Sequence, residues 1–135
     1  MVNTKELDTE QKILTAARKV FFEKGRDGAR MQQIADEAGI NKSLLHYYFR
    51  SKDKLFSAIS REAFLAFIPN VKSVIVEESP FKQKVYSLAE KYVDLMMEQP
   101  YLPLFLINEI SRNPKMFQDL VNEGGMSGEV AQSFL

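Results

Sequence analysis

Residues 31–49, MQQIADEAGINKSLLHYYF, constrain this chain more than any other stretch. Ala35, Gly39, Ile40 and Leu45 stand at offsets of 0, 4, 5 and 10 residues. Two short helices that cross steeply need a small side chain where they touch, and Ala35 supplies it. Gly39 follows where the chain must leave the first helix, because glycine enters the left-handed conformation without a Cβ clash. Ile40 drops an apolar side chain under the turn. Asn41 is placed to cap the next helix by accepting from its orphan backbone N–H groups. Leu45 then returns onto Ile34 and Ala38. The pattern predicts a helix, a tight turn and a second helix.

The side chains left on the outer face of that second helix are chemically distinctive. Lys42, Ser43, His46 and Tyr47 offer cations, hydroxyls and an imidazole, and Arg50, Lys52 and Lys54 follow with only Asp53 against them. Such groups on a helix that follows a tight turn suit phosphates and base edges in a DNA major groove. The overall formal charge of zero does not contradict this. Residues 1–60 hold 11 Lys and Arg against 8 Asp and Glu, hence +3, and residues 61–135 hold 7 against 10, hence −3. The basic half is the half with the motif.

Hydrophobic periodicity predicts an all-α protein. Ile13, Leu14, Ala17, Val20 and Phe21 recur on one helical face, giving a first helix over residues 9–24 that ends at Gly25. Helices follow over 31–38 and 42–49. Ser51 caps a fourth, with Asp53 in its first turn, and Pro69 marks its end or a kink. Residues 71–76, VKSVIV, are β-branched yet have no partner strand nearby, so they read as helix. Further helices are expected from Pro80 to about residue 99, from Pro100 and Pro103 to about 113, and from Pro114 to about 123. Gly124, Gly125 and Gly128 read as a flexible stretch, and EVAQSFL as the first turns of a helix that the end of the chain cuts short.

Other classes of function find little support. There is no run of about 18 apolar residues for a membrane span. The polar start MVNTKELDTEQK is unlike a signal peptide. Cysteine is absent, and a single His cannot build a metal site. No phosphate-binding loop or nucleophile elbow is present; Gly125-Met126-Ser127-Gly128 is only a near miss. No enzyme activity, cofactor or metal is expected.

Taken in order, ILTAARKVFFEKG, IADEAGINKSLLHYYF and SKDKLF resemble the tetracycline-repressor (TetR) family of bacterial transcription regulators, over residues 13–56. The resemblance implies a three-helix helix-turn-helix DNA-binding domain over residues 1–54. It also implies a helical ligand-binding and dimerisation domain over residues 55–135, truncated at its C-terminal end. By the same resemblance, Lys42 and Ser43 fall where base edges are read, Tyr47 where phosphate is bound, and Lys52 where the next helix start grips the backbone. Gln32 lies where the first helix of the motif reaches the groove. Two positions depart from the family pattern. His46 stands where Tyr is common, and Arg30 replaces the usual capping Thr, weakening the cap while offering a phosphate contact. The implied partners are a double-stranded DNA operator, a second copy of the full-length protein and a small-molecule inducer, in the cytoplasm and away from membranes.

In the second half, Phe64, Tyr92, Met96, Phe105 and Phe117 are candidates to line an inducer pocket, since Met and aromatic side chains adapt to apolar ligands. The same spacing equally suits a plain helical core. Glu109 and Arg112 could place a charge in such a pocket, but a solvated face is the favoured reading. Two alternatives stay open beside a ligand-responsive repressor. One is a low-specificity helix-turn-helix DNA binder without an inducer. The other is a helical ligand-binding or adaptor protein.

Overall fold

A computed structural model describes residues 4–123, and among these every regular element is an α-helix. The domain boundary expected after residue 54 falls at the start of the fourth helix; the compact units divide after Ser60.

The first unit opens with α1, Thr4–Gly28. This helix starts earlier than residue 9, so Thr9 lies inside it and its hydroxyl does not cap. It donates instead to the Lys5 carbonyl at 3.0 Å, one turn back inside the helix. The expected break at Gly25 is present. Its φ of 71° and ψ of 179° interrupt the helix, and a further turn carries the chain to Gly28. Ile13, Ala16, Ala17, Val20 and Phe21 form the buried stripe of α1.

Helix α2, Met31–Ala38, and helix α3, Lys42–Tyr48, make the expected pair. Gly39 takes φ 72° and ψ 30°, the left-handed region. Its N–H donates to the Asp36 carbonyl at 3.2 Å, and the Ile40 N–H donates to the Ala35 carbonyl at 3.0 Å. These two bonds satisfy carbonyls that the helix end would otherwise orphan. Asn41 then accepts from the Leu44 N–H at 2.8 Å, so one helix closes and the next opens within three residues. Phe49 leaves helical geometry (φ −132°, ψ 106°), which makes α3 one residue shorter than the sequence predicts.

Helix α4, Lys52–Ile75, begins with Ser51 accepting from the Lys54 N–H at 3.1 Å. Leu55, Phe56 and Ile59 are buried, and Phe56 meets Phe21 edge-on with ring centroids 4.9 Å apart. Ile34, Ala35 and Leu45 are inaccessible to solvent, as the spacing argument requires.

The second unit holds the rest of α4, then α5 (Phe81–Glu98), α6 (Leu102–Arg112) and α7 (Pro114–Glu123). Pro69 lies inside α4 and does not end it; the helix continues to Ile75 and takes in most of VKSVIV. Proline cannot donate to the carbonyl four residues back, which belongs to Leu65. Leu65 is exposed, so water can take that bond. Phe64, Ile68, Val74, Leu102, Phe105, Leu106 and Leu120 form the core of this unit. Lys84 donates to the Ile75 carbonyl and Lys91 to the Ser73 hydroxyl, tying α5 to the end of α4. Glu109 is a correction to the sequence reading. It is 95% removed from solvent and accepts from Arg112 at 2.9 Å, one turn on, because α6 turns that face inward. The glycine-rich stretch and the helix expected after it lie outside the described residues.

Candidate nucleic-acid interface

Helix α3 divides its side chains cleanly. Leu45 is fully buried, while Tyr48 and Phe49 are half-buried. Lys42, Ser43, His46 and Tyr47 are exposed. Lys42 and His46 are one turn apart, as are Ser43 and Tyr47, so the four share one outward patch. Tyr47 is 72% exposed and stands edge-on to Tyr48, with centroids 5.3 Å apart. The half-buried ring thus supports the exposed one and limits its freedom.

Neighbouring groups on this unit are partly committed to one another. The Lys52 ammonium donates to the Ala29 carbonyl at 3.1 Å, joining the start of α4 to the turn before α2. An ammonium has three N–H donors, so this bond does not exhaust it. Arg30 precedes α2 with extended geometry and gives no side-chain cap; its backbone N–H donates to the Gln33 amide oxygen at 3.1 Å. This agrees with the weaker cap expected there, and it leaves the exposed guanidinium outside the capping interaction. Gln32 donates through Nε2 to Asp36 at 2.9 Å. A carboxylate only accepts, so the amide oxygen of Gln32 faces the other way.

Two ion pairs that brace this arrangement were not visible in the sequence. Arg26 donates to Asp53 through Nη2 at 2.7 Å and Nε at 3.2 Å. Lys19 pairs with Glu37 at 2.8 Å, bridging α1 and α2. The Glu37 hydrogen bond and charge raise the Lys19 pKa above the ordinary lysine value, slightly opposed by desolvation. No local spacing signals either pair, because each joins residues on separate helices.

The five apolar candidates of the second unit are divided by the structure. Phe64 and Phe105 are buried, and Phe117 packs against Phe64 with centroids 5.5 Å apart. Tyr92 and Met96 are each 43% exposed on α5. A groove of about 290 Å³ in this unit is lined by Arg61, Asn113, Lys115, Met116, Asp119, Leu120 and Glu123, and by none of those five. Among the described residues no group of three or more His, Asp or Glu is placed to hold a metal ion. No described helix is long and apolar enough to cross a membrane.

The model of the tetR family of bacterial regulatory proteins matches residues 13–59, from the buried stripe of α1 to the first turns of α4. Over this stretch the chain is similar to the TetR family. Among curated relatives, the HTH-type transcriptional repressor NicS of Pseudomonas putida is 28% identical over 121 residues, covering 90% of this chain and 57% of NicS. The transcriptional regulator RutR of Escherichia coli K12 is 33% identical over 86 residues, covering 64% of this chain and 38% of RutR. A Mesorhizobium loti crystal structure assigned to the TetR family superposes with a TM-score of 0.60 at 25% identity, over 98% of this chain and 69% of that one. The chain therefore spans about half the length of the relatives it matches.

Proposed function

We propose that the protein is a sequence-specific DNA-binding transcriptional regulator of the TetR type, acting as a ligand-responsive repressor. The observation that carries this reading is the outward patch of α3. A cation, a hydroxyl, an imidazole and a phenol stand exposed on a helix whose opposite side is locked by the buried Leu45. Such a helix enters a major groove, where Lys42 and Ser43 meet base edges, joined by His46 and Gln32. Tyr47, Lys52 and Arg30 contact phosphates and fix the register without reading sequence. In a full-length homodimer two such helices would read half-sites about 34–36 Å apart on a near-palindromic operator. A cytoplasmic protein without catalytic activity or cofactor fits this role. A small apolar inducer would act by binding more tightly to the conformation whose reading helices are wrongly spaced. Phe64, Tyr92, Met96, Phe105 and Phe117 are the candidates to line its site.

The test is selection of duplexes from a randomised library, followed by fluorescence anisotropy on the selected and a scrambled duplex at two salt concentrations. Selective and salt-sensitive binding supports a regulator. Salt-sensitive binding with equal affinity for both duplexes replaces it with a low-specificity DNA binder. No binding at low salt removes the DNA-reading role and leaves a helical ligand-binding or adaptor protein.

A further inference from the structure

The exposed patch of α3 carries one side chain whose hydrogen-bonding sense is set by its neighbours. His46 Nδ1 lies 3.4 Å from the Arg50 carbonyl oxygen. A carbonyl can only accept, so this contact is a hydrogen bond in the tautomer that carries its proton on Nδ1, and it favours that tautomer. In a neutral imidazole the other nitrogen, Nε2, then holds the lone pair and can only accept. The carbonyl at the end of α3 thereby favours one tautomer of an exposed side chain on the proposed reading surface.

We propose that His46 is a specificity-determining residue that reads DNA as a hydrogen-bond acceptor, selecting a base with an exocyclic amino group in the major groove. This inference rests on α3 being the reading helix. Only adenine N6 and cytosine N4 present donors in the major groove; guanine O6 and N7, adenine N7 and thymine O4 all accept. Lys42, one turn before His46, is the converse case, since an ammonium only donates and favours guanine or thymine. The two residues share a face, so the patch combines a donor-only group with an acceptor-only one. A site with an amino-bearing base opposite His46 and an acceptor-bearing base opposite Lys42 satisfies both. Exchanging the two bases leaves His46 unpaired, and Lys42 as well where the amino-bearing base is cytosine, since adenine still offers N7. A uniformly cationic patch would attract any duplex, whereas this arrangement penalises the wrong one.

The experiment uses the 135-residue chain at pH 8, where ordinary imidazoles are neutral. Duplexes selected from a randomised library are resynthesised with single adenines replaced by purine, which lacks the 6-amino group, and single cytosines replaced by 2-pyrimidinone, which lacks the 4-amino group. At one position per half-site, deleting the amino group should weaken wild-type binding roughly 5- to 150-fold, the range for one mismatched pair. His46→Ala should abolish that dependence at the same position. His46→Gln, which keeps an acceptor, should retain part of it. His46→Lys should move the preferred base there to guanine or thymine. His46 is exposed, so these variants should keep the wild-type circular dichroism and melting profile. Two results overturn the proposal while leaving the DNA-reading role intact: no position coupled to His46 although Lys42→Ala still alters selectivity, or a His46→Ala loss that is uniform across all duplexes, which marks a phosphate contact. Failure to select any preferred duplex overturns the inference together with the reading on which it rests.

Discussion

The two units treat their apolar residues differently. In the first, each amphipathic helix finds a partner. Ile13, Ala17, Phe21, Ile34, Ala35, Leu45 and Leu55 are inaccessible to solvent, and among the described residues Leu7, Leu44 and Tyr47 are the large apolar or aromatic side chains left exposed. In the second, no residue of α5 is fully buried, and Leu88 and Leu95 are only half-buried. Phe81, Val85, Tyr86, Val93 and Met97 stand at least half exposed, as do Leu104 and Ile107 on α6. The contrast shows that amphipathic periodicity specifies which face of a helix is available for packing but not whether it is packed. Helices α1 to α3 are closely linked and cover one another, whereas among the described residues the apolar stripe of α5 has no comparable cover.

The sharpest way to break this comparison is to delete one aromatic ring from each unit. Phe21→Ala should destabilise the chain by about 3–5 kcal/mol in urea denaturation, because it empties a site packed edge-on against Phe56. Met97→Ala, at a residue 80% exposed, should stay within about 0.5 kcal/mol of wild type. Equal effects would mean that α5 is covered in solution.

Within the first unit, Lys42 and Lys52 separate reading from positioning. Lys42→Ala should cost about 1–3 kcal/mol on a selected duplex and far less on a scrambled one, measured by anisotropy. Lys52→Ala should weaken both alike and lower the salt slope by about 1. It should also cost roughly 1 kcal/mol of stability in a denaturant melt, from the lost bond to the Ala29 carbonyl. Matching behaviour of the two variants on both duplexes would erase the distinction.

A smaller effect distinguishes two glycines of this same unit. Gly39→Ala should destabilise by about 1–2 kcal/mol through the left-handed backbone alone, since no heavy atom lies within 4 Å of an added Cβ. Gly28→Ala has no such conformational conflict, and its Cβ would meet Lys24 Cβ at an ordinary 3.5 Å. It should be neutral or stabilising by up to about 1 kcal/mol, because alanine narrows the unfolded ensemble. Thermal melts of the two variants should therefore shift in opposite directions or differ clearly in size.

The smallest expected effect lies at the brace between α1 and α2. Glu37→Gln should return the Lys19 titration toward the ordinary lysine value, followed by NMR of its side chain. The raised pKa means that the pair contributes below the unfolded lysine value. That contribution is lost as pH rises through the higher folded value, so the effect belongs to strongly alkaline solution. Both side chains are exposed, and the contribution to stability at neutral pH should be slight.

The sequence by itself determined the helix-turn-helix, because its signals are local. Gly39, Asn41 and Ser51 act on backbone groups within a few residues, and Leu45 falls inward through the helical repeat alone. It also placed Lys42, Ser43, His46 and Tyr47 outward, as the other side of the same periodicity. Local signals failed where two residues competed for one role or a distant group intervened. The first helix is expected from residue 9, yet it begins at Thr4 and the Thr9 hydroxyl bonds back into it. Pro69 reads as an end or a kink, and α4 continues through it to Ile75. Glu109 looked like a surface charge until the fold of the second unit buried it. Only the tertiary structure paired Arg26 with Asp53 and Lys19 with Glu37, and only it divided Phe64 and Phe105 from the exposed Tyr92 and Met96. The physical reason is range. Caps and turns are decided by a few neighbouring backbone bonds, while burial and ion pairing depend on which helices meet.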